Sequence, residues 1–302
     1  MKLNIKELTF GKTDTFNELK EFGQEWFVKA FFPYEKYELD SFIKGNSYYI
    51  CGEKGTGKTA LLRLLQCQLS EDPNNLIIPI RFKTEFDSDD KKAMIKAATN
   101  VKETTAEGVD DFKEGTDTVN VWQIYMIYQL LSKCDDSGSE YHLFDESAEL
   151  SQIRQLLKIV YPDHKNKIVP KLKRGQLTVS ANILEMLDAE LQIEIGFDET
   201  ISTISFNRIA KAIISKFAKL HYLDNRVYIL FDELELSVRS SREHQRDISL
   251  VRDLIIAIDR LNEKCKLSGF DIHIIASVRT EVIHSVHSAG FEINKPELFT
   301  AS

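Results

Sequence analysis

Residues 52–59 have the sequence Gly-Glu-Lys-Gly-Thr-Gly-Lys-Thr, and this stretch decides the fold. It matches the pattern G-x-x-x-x-G-K-[ST] at every fixed position. Glycines allow a chain to wrap an anion so closely that its backbone N–H groups point inward. A helix that begins directly after the loop adds its N-terminal amides and the positive end of its dipole. The stretch therefore predicts a phosphate-binding loop, and the residues expected to contact a nucleotide are Gly52, Glu53, Lys54, Gly55, Thr56, Gly57, Lys58, Thr59 and Ala60.

The residues on either side of this loop favour the same interpretation. Residues 48–51 are a β-prone run, and the apolar residues that follow Thr59 recur at helical spacing, as Leu61, Leu64, Leu65 and Leu69. In a strand–loop–helix unit of this kind, Lys58 places a positive charge at the β- and γ-phosphates, and the Thr59 hydroxyl is a magnesium ligand.

Two acidic residues follow a second apolar run. Residues 226–231 predict a strand that ends at Asp232 and Glu233. Asp232 is expected to hold the magnesium shell, and Glu233 to orient or deprotonate the water that attacks the γ-phosphate. A hydrolase needs this second acid, whereas a kinase or a small GTPase does not. The interpretation requires both acids to lie at the same edge of the sheet as Lys58.

A third apolar run, residues 271–277, predicts a strand that is followed by polar residues. Predicted strands and helical patterns alternate along the chain, which is typical of an α/β fold. We therefore expect a mostly parallel sheet with helices on both faces. Pro79 favours an edge position or a strand end for the predicted strand at residues 76–82, because proline has no N–H group for a central ladder.

The segments GEKGTGKT, VYILFDELE and DIHIIASVR occur in that order with helices between them, and together they resemble the additional-strand (AAA+/STAND-like) type of P-loop ATPase. The resemblance implies a P-loop NTPase fold and magnesium-dependent ATP hydrolysis, with ATP and Mg²⁺ as cofactors. It implies that Thr59 and Asp232 bind the metal. It implies that Ser277 senses the γ-phosphate or the attacking water, and that Arg279 contacts charge in cis or across a subunit boundary. The catalytic residues that it implies are Lys58, Glu233, Ser277 and Arg279.

The same resemblance implies how the protein works with others. It implies a homo-oligomer in which ATP switches conformation, together with a protein effector partner. Similarity to stand-alone bacterial ATPases of anti-phage defence systems adds the expectation of a role in antiviral defence. Two alternatives stay open: a nucleotide-gated scaffold that hydrolyses little ATP and holds an effector, and a DNA-acting ATPase. The sequence has neither an LSGGQ-like segment before residue 227, which an ABC-type ATPase needs, nor the N-K-x-D motif of a GTPase.

The chain divides into three parts on its sequence. Residues 1–44 are an N-terminal covering segment, whose aromatic residues either pack at the edge of the core or line an adenine pocket. Residues 45–83 and 201–302 form the P-loop ATPase core. Residues 84–200 are a large mixed, mainly helical insertion.

Two stretches depart from a minimal nucleotide-binding core. Residues 84–119 are rich in Asp, Glu, Lys and Thr with little apolar periodicity, so we expect them to be exposed or mobile. The few residues that follow Ser277 leave no room for a helical lid. Either the lid is absent or the chain is the front part of a longer protein, and the sequence favours the second interpretation.

The composition limits the class of protein. The net charge of −8 would repel nucleic acid and anionic membranes, so a nucleic acid can bind only through a local basic patch. The candidate basic residues are Lys165, Lys167, Lys171, Lys173 and Arg174, and separately Arg239, Arg242 and Arg246. The four cysteines form no C-x-x-C pair, which favours reduced thiols in a cytoplasmic protein. No apolar run approaches ~18 residues, so no membrane contact is expected.

Overall fold

The computed structural model describes residues 20–21, 23–30, 39–98, 118–135, 141–162, 176–178, 203–234, 240–288 and 297–298. The strands are β1 (Tyr49–Gly52), β2 (Asn75–Arg81), β3 (Gln176–Thr178), β4 (Thr203–Ser205), β5 (Arg226–Asp232), β6 (Ile272–Arg279) and β7 (Glu297–Leu298). The helices are α1 (Gln24–Ala30), α2 (Leu39–Ile43), α3 (Lys58–Leu69), α4 (Phe82–Glu85), α5 (Ser88–Ala98), α6 (Val119–Asp135), α7 (Ala148–Val160), α8 (Phe206–Phe217), α9 (Ser241–Leu267) and α10 (Thr280–Ser288).

A parallel sheet forms the centre of the structure, with the strand order β2-β5-β6-β1 and the short strand β7 beside β1. The strand β6 therefore lies between the strand that precedes the glycine loop and the strand that ends in the two acids. Because parallel strands place their carboxyl ends at the same edge, the loop and the acids meet at one edge of the sheet. The predicted α/β class with a mostly parallel sheet is confirmed.

Helices cover both faces of this sheet. Leu230 of β5 points to a core that α3 forms with Phe27 of α1 and Phe42 of α2. Phe231, the next residue, points to the larger core on the opposite face, which includes residues of α5, α6, α8 and α9. This alternation is the period of two expected for a strand that is buried on both faces.

The strand β2 lies at one end of the described sheet and pairs with β5 alone. Pro79 is in this strand, opposite Leu230. The edge position predicted for Pro79 is therefore confirmed, since a strand with a free side tolerates a residue without an N–H group.

Described residues of the predicted insertion pack into the main core. Trp122 of α6 and Ile153 of α7 belong to the same buried cluster as the sheet. The helix α6 contacts both α8 and α9. The position of the insertion boundaries at residues 84–200 stays a prediction.

The helix α5 departs from the predicted exposure of this part of the chain. Met94 and Ile95 are buried in the larger core. Lys91 is also buried, and its Nζ donates to Asp247 Oδ2 at 3.0 Å. The prediction of an exposed segment is wrong for α5, because a few apolar residues and one buried ion pair are sufficient to hold a mostly polar helix against the core. Phe86, Thr118 and Val119 of the same stretch are also buried, and residues 99–117 lie outside the described residues.

An N-terminal cap sets the start of the helix α9. Ser240 caps its N-terminus by accepting a hydrogen bond from Glu243 N at 3.2 Å. The spacing of Ser240 and Glu243 fits the Ser-x-x-Glu capping pattern, a signal that could have located this start. None of the helices in the described ranges combines the length and the apolar character needed to cross a membrane.

The side chain of Asn262 completes the sheet where β1 is too short. The strand β6 pairs with β1 only from Ala276 onward, so Ile274 lies before the first β1 partner. The Asn262 amide fills this place: Nδ2 donates to Ile274 O at 2.9 Å, and Oδ1 accepts from Ile274 N at 2.8 Å. Asn262 is buried, so water does not satisfy the same backbone groups.

We expect Asn262→Ala to lower the free energy of unfolding by about 3 kcal/mol, because it leaves a buried N–H and a buried C=O without partners. Urea denaturation monitored by circular dichroism measures this change. The control is Glu263→Ala, an exposed neighbour in the same helix, which we expect to change stability by less than about 0.5 kcal/mol. Equal effects of the two substitutions would contradict the role assigned to Asn262.

Candidate functional site

The glycine loop connects β1 to α3 and needs glycine for its backbone conformation. Gly55 and Gly57 have φ angles of 87° and 85°, in the left-handed region that residues with a side chain rarely adopt. A Cβ atom built on either glycine would have no neighbour within 4 Å, so the space beside the loop is open. The helix α3 begins at Lys58, directly after Gly57. The loop therefore has an open side and a helix N-terminus, as an anion site requires.

Lys58 turns back onto its own loop, where Nζ donates to Glu53 O at 2.6 Å. Burial lowers the pKa of Lys58, and the nearby positive charge of Arg279 lowers it further. Arg279 lies at the end of β6, in register with Gly52. Two cations thus lie beside the open glycine loop, and an anion bound there would relieve their mutual repulsion.

One carboxylate oxygen of the buried residue Asp232 accepts three hydrogen bonds. Its Oδ1 accepts from Ser277 Oγ at 2.6 Å, from Glu233 N at 2.8 Å and from Thr59 Oγ1 at 3.1 Å. The side chain of Asp232 is 2% exposed. These bonds join the ends of β5 and β6 to the first turn of α3. The acids therefore lie at the same edge as Lys58, as the interpretation of the sequence required.

The second oxygen of Asp232 fits a metal ion. Asp232 Oδ2 is buried and has no hydrogen-bond partner among the described residues. The Thr59 hydroxyl, beside Oδ1, supplies a second oxygen of the type that Mg²⁺ prefers. No group of three or more His, Cys, Asp or Glu side chains suited to a metal occurs in the described part of the chain. A site with so few protein ligands suits Mg²⁺, which is usually held by one or two carboxylates together with phosphates and water.

Glu233 is held by Arg81, the last residue of β2, and by Thr84 of α4. Arg81 donates to Glu233 Oε1 through Nη2 and through Nε, the latter at 3.0 Å. Thr84 Oγ1 donates to Oε2 at 3.0 Å. Glu233 has φ 58° and is the one non-glycine residue with positive φ within the described ranges. This conformation costs of order 1–3 kcal/mol, and such strain is concentrated at functional sites.

Ser277 and Arg279 lie where the sequence predicted polar residues at the end of a strand. Ser277 is buried, and its hydroxyl donates to Asp232. In the described structure it therefore orients the carboxylate of Asp232. Arg279 is partly exposed, and its Nη1 donates to Glu281 Oε1 at 3.3 Å.

Three polar residues at this site were not found from the sequence. Arg81 and Thr84 contact Glu233, and Arg63 Nη2 lies 3.9 Å from Asp232 Oδ2. Polar residues at the carboxyl ends of parallel strands tend to lie at a binding site, and this rule selected the residues at the ends of β5 and β6. Applied to β2, the same rule would have found Arg81. For Arg63 the signal was its position four residues after Thr59, on the same face of the helix.

Most residues of the predicted basic patches lie outside the part of the chain that the structure describes. Residues 163–175 lie outside the described residues, as do Arg239 and the side chain of Arg242. Arg246 is buried, and its Nη1 lies 3.4 Å from Ser88 Oγ. Arg246 therefore does not present its charge to a partner in this structure. Of the N-terminal aromatic residues, Phe27 is in the core, and residues 31–38 lie outside the described ranges.

Comparisons of the chain with protein-family models, with curated proteins and with solved structures found no match. The functional assignment therefore depends on the chemistry of the site and on the sequence motifs.

A double-mutant cycle tests the contact between Arg81 and Glu233. We expect Arg81→Met and Glu233→Gln to show a coupling energy of about 1 kcal/mol or more in the free energy of unfolding, because the pair is largely shielded from water. The control cycle uses Lys29→Met and Glu25→Gln, an exposed pair 2.6 Å apart, for which we expect less than about 0.5 kcal/mol. A coupling energy at the Arg81 pair no larger than at this exposed pair would show that the contact is weak in solution.

Proposed function

We propose that this protein binds ATP with Mg²⁺ and hydrolyses it, as a P-loop ATPase of the additional-strand type. One observation carries the proposal: Thr59 and Ser277 both donate to the carboxylate of Asp232 at the edge of the sheet that bears the glycine loop. Thr59, Asp232 and Ser277 come from the three separate sequence segments that carry the resemblance to this type of ATPase. A chance match to the loop pattern gives no reason for them to meet. The position of β6 between β1 and β5 also supports the additional-strand type.

In the proposed reaction, the residues at this edge bind the triphosphate and prepare the water. The amides at the start of α3 and the side chains of Lys58 and Arg279 would stabilise the negative charge on the phosphates. Thr59 and Asp232 would hold Mg²⁺, which neutralises charge on the β- and γ-phosphate oxygens. Glu233 would orient the attacking water and accept its proton. Its oxygens accept hydrogen bonds from Arg81 and Thr84, and we propose that Glu233 leaves these partners before it acts on the water.

This need for release supports a switch rather than a constitutively active hydrolase. A movement of α4, which carries Thr84, would alter the hydrogen bond that Thr84 donates to Glu233. The helices α4 and α5 are almost contiguous, and α5 packs against α6 and α8. We therefore propose that nucleotide state is coupled to an assembly or to a partner through these helices. A homo-oligomer, a protein effector and a role in anti-phage defence are parts of the proposal that rest on the sequence resemblance alone.

A nucleotide-gated scaffold with little hydrolysis is the second candidate function. The hydrogen bonds to both oxygens of Glu233 favour it, since they engage the carboxylate that would otherwise orient the attacking water. The two candidates predict the same ATP binding and different turnover.

Binding and turnover therefore need separate measurements. We expect Lys58→Ala to abolish binding of a fluorescent ATP analogue and Glu233→Gln to retain it, while both variants lose phosphate release. The control is Lys44→Ala, an exposed lysine paired with Asp40, which should match the wild type in both assays. ATP binding without measurable turnover in the wild type would leave the scaffold as the better function. Unchanged binding in Lys58→Ala would reject the nucleotide site.

Removal of Arg81 should release Glu233. If the contact costs about 1 kcal/mol to break, Arg81→Met should raise basal ATP turnover about fivefold. The double variant Arg81→Met/Glu233→Gln should stay inactive, because the gain depends on the freed carboxylate. Phosphate release at saturating Mg²⁺–ATP measures both. A loss of turnover in Arg81→Met would instead show that Arg81 takes part in the reaction.

A further inference from the structure

Arg63 is a buried cation beside the metal-binding edge of Asp232. It lies on α3, four residues after Thr59, and its side chain is 7% exposed. Its Nη1 donates to Gln66 Oε1 at 2.6 Å, which fixes the guanidinium on the helix. Its Nη2 lies 3.9 Å from Asp232 Oδ2.

The two oxygens of Asp232 have different environments. Oδ1 accepts all the hydrogen bonds described above, from Thr59, Ser277 and the backbone of Glu233. Oδ2 accepts none from the described residues and faces Arg63 across 3.9 Å. This distance is too long for a hydrogen bond and short enough for a strong interaction between charges in a buried site.

A buried carboxylate without a counter-charge is strongly destabilising. When no metal is bound, the guanidinium of Arg63 is the cation nearest to Oδ2 in the contacts described. Mg²⁺ would approach this same oxygen. A divalent ion and a fixed guanidinium at one carboxylate repel each other, so each lowers the affinity of the site for the other.

We propose that Arg63 is the resident counter-charge of Asp232 and that it sets the Mg²⁺ affinity of the site. This inference rests on the proposed Mg²⁺–ATP function. Arg63 stabilises the metal-free protein, and Mg²⁺ must compete with its charge for Asp232. Arg63 is in this sense a positioning residue that acts through Asp232, and it does not contact the reacting atoms. Its charge moves the switch between the metal-free and the metal-bound states to a higher Mg²⁺ concentration.

A purely structural role for Arg63 predicts different behaviour. If its aliphatic stem only fills space between α3 and β5, its removal lowers stability equally with and without Mg²⁺. The proposed role predicts a loss of stability mainly in the metal-free protein. The same chain offers a matched control in Lys91, another buried cation paired with a buried carboxylate, Asp247, on the opposite face of the sheet.

The experiment compares wild type, Arg63→Met and Lys91→Met as full chains, with a non-hydrolysable ATP analogue as the probe. Thermal unfolding is followed in EDTA and in a Mg²⁺ series at a fixed analogue concentration, and analogue binding is titrated with Mg²⁺. We expect Arg63→Met to unfold at a lower temperature than wild type in EDTA. Its unfolding temperature should rise more on addition of Mg²⁺ than that of wild type. We expect its Mg²⁺ midpoint for analogue binding to fall about tenfold or more. Lys91→Met should lose stability and keep the wild-type midpoint.

An unchanged or higher Mg²⁺ midpoint in Arg63→Met, with analogue binding intact in the wild type, overturns this inference and leaves the proposed function standing. A wild type that binds no analogue and does not respond to Mg²⁺ rejects the proposed function itself.

A second comparison tests the same proposal if Arg63→Met is too unstable to purify. In the background Asp232→Asn, which removes the carboxylate charge, Arg63→Met should cost much less stability than in the wild-type background. A double variant that folds while Arg63→Met alone does not supports the charge pairing. Equal instability in both backgrounds contradicts it.

Discussion

The site depends on the hydrogen bonds that Asp232 Oδ1 accepts from Thr59, Ser277 and the Glu233 backbone. A buried carboxylate is tolerated only when its charge and its lone pairs are satisfied. Here the donors come from the first turn of α3 and from the adjacent strand β6. The register of the parallel sheet, which places Phe231 opposite Ala276, brings these groups within reach of one another.

Each acid of the site has a cation beside it. Asp232 lies near Arg63, and Glu233 accepts hydrogen bonds from Arg81. These pairs explain how two neighbouring acids are tolerated at one edge of the sheet. Lys58 instead donates a hydrogen bond to a backbone carbonyl of its own loop.

The fold beyond the site shows why local patterns can mislead. The polar composition of α5 predicted exposure, yet Met94 is buried and Lys91 finds a buried partner in Asp247. That partner lies 156 positions away in the chain, so no local signal reports it. The start of α9 could have been predicted from the sequence, because its Ser240 cap belongs to a Ser-x-x-Glu capping pattern.

The sequence by itself determined the glycine loop, the α/β class, the edge position of Pro79 and the acids and polar residues at the ends of β5 and β6. These features follow from short-range patterns, since glycine conformation, strand period and proline chemistry act within a few residues. Only the tertiary structure decided which groups contact the acids. The contacts of Arg63 with Asp232 and of Arg81 with Glu233 arise between distant segments, whose approach depends on strand order and on helix packing. For the same reason, the contacts of Glu233 with Arg81 and Thr84 could be recognised only after the chain was folded.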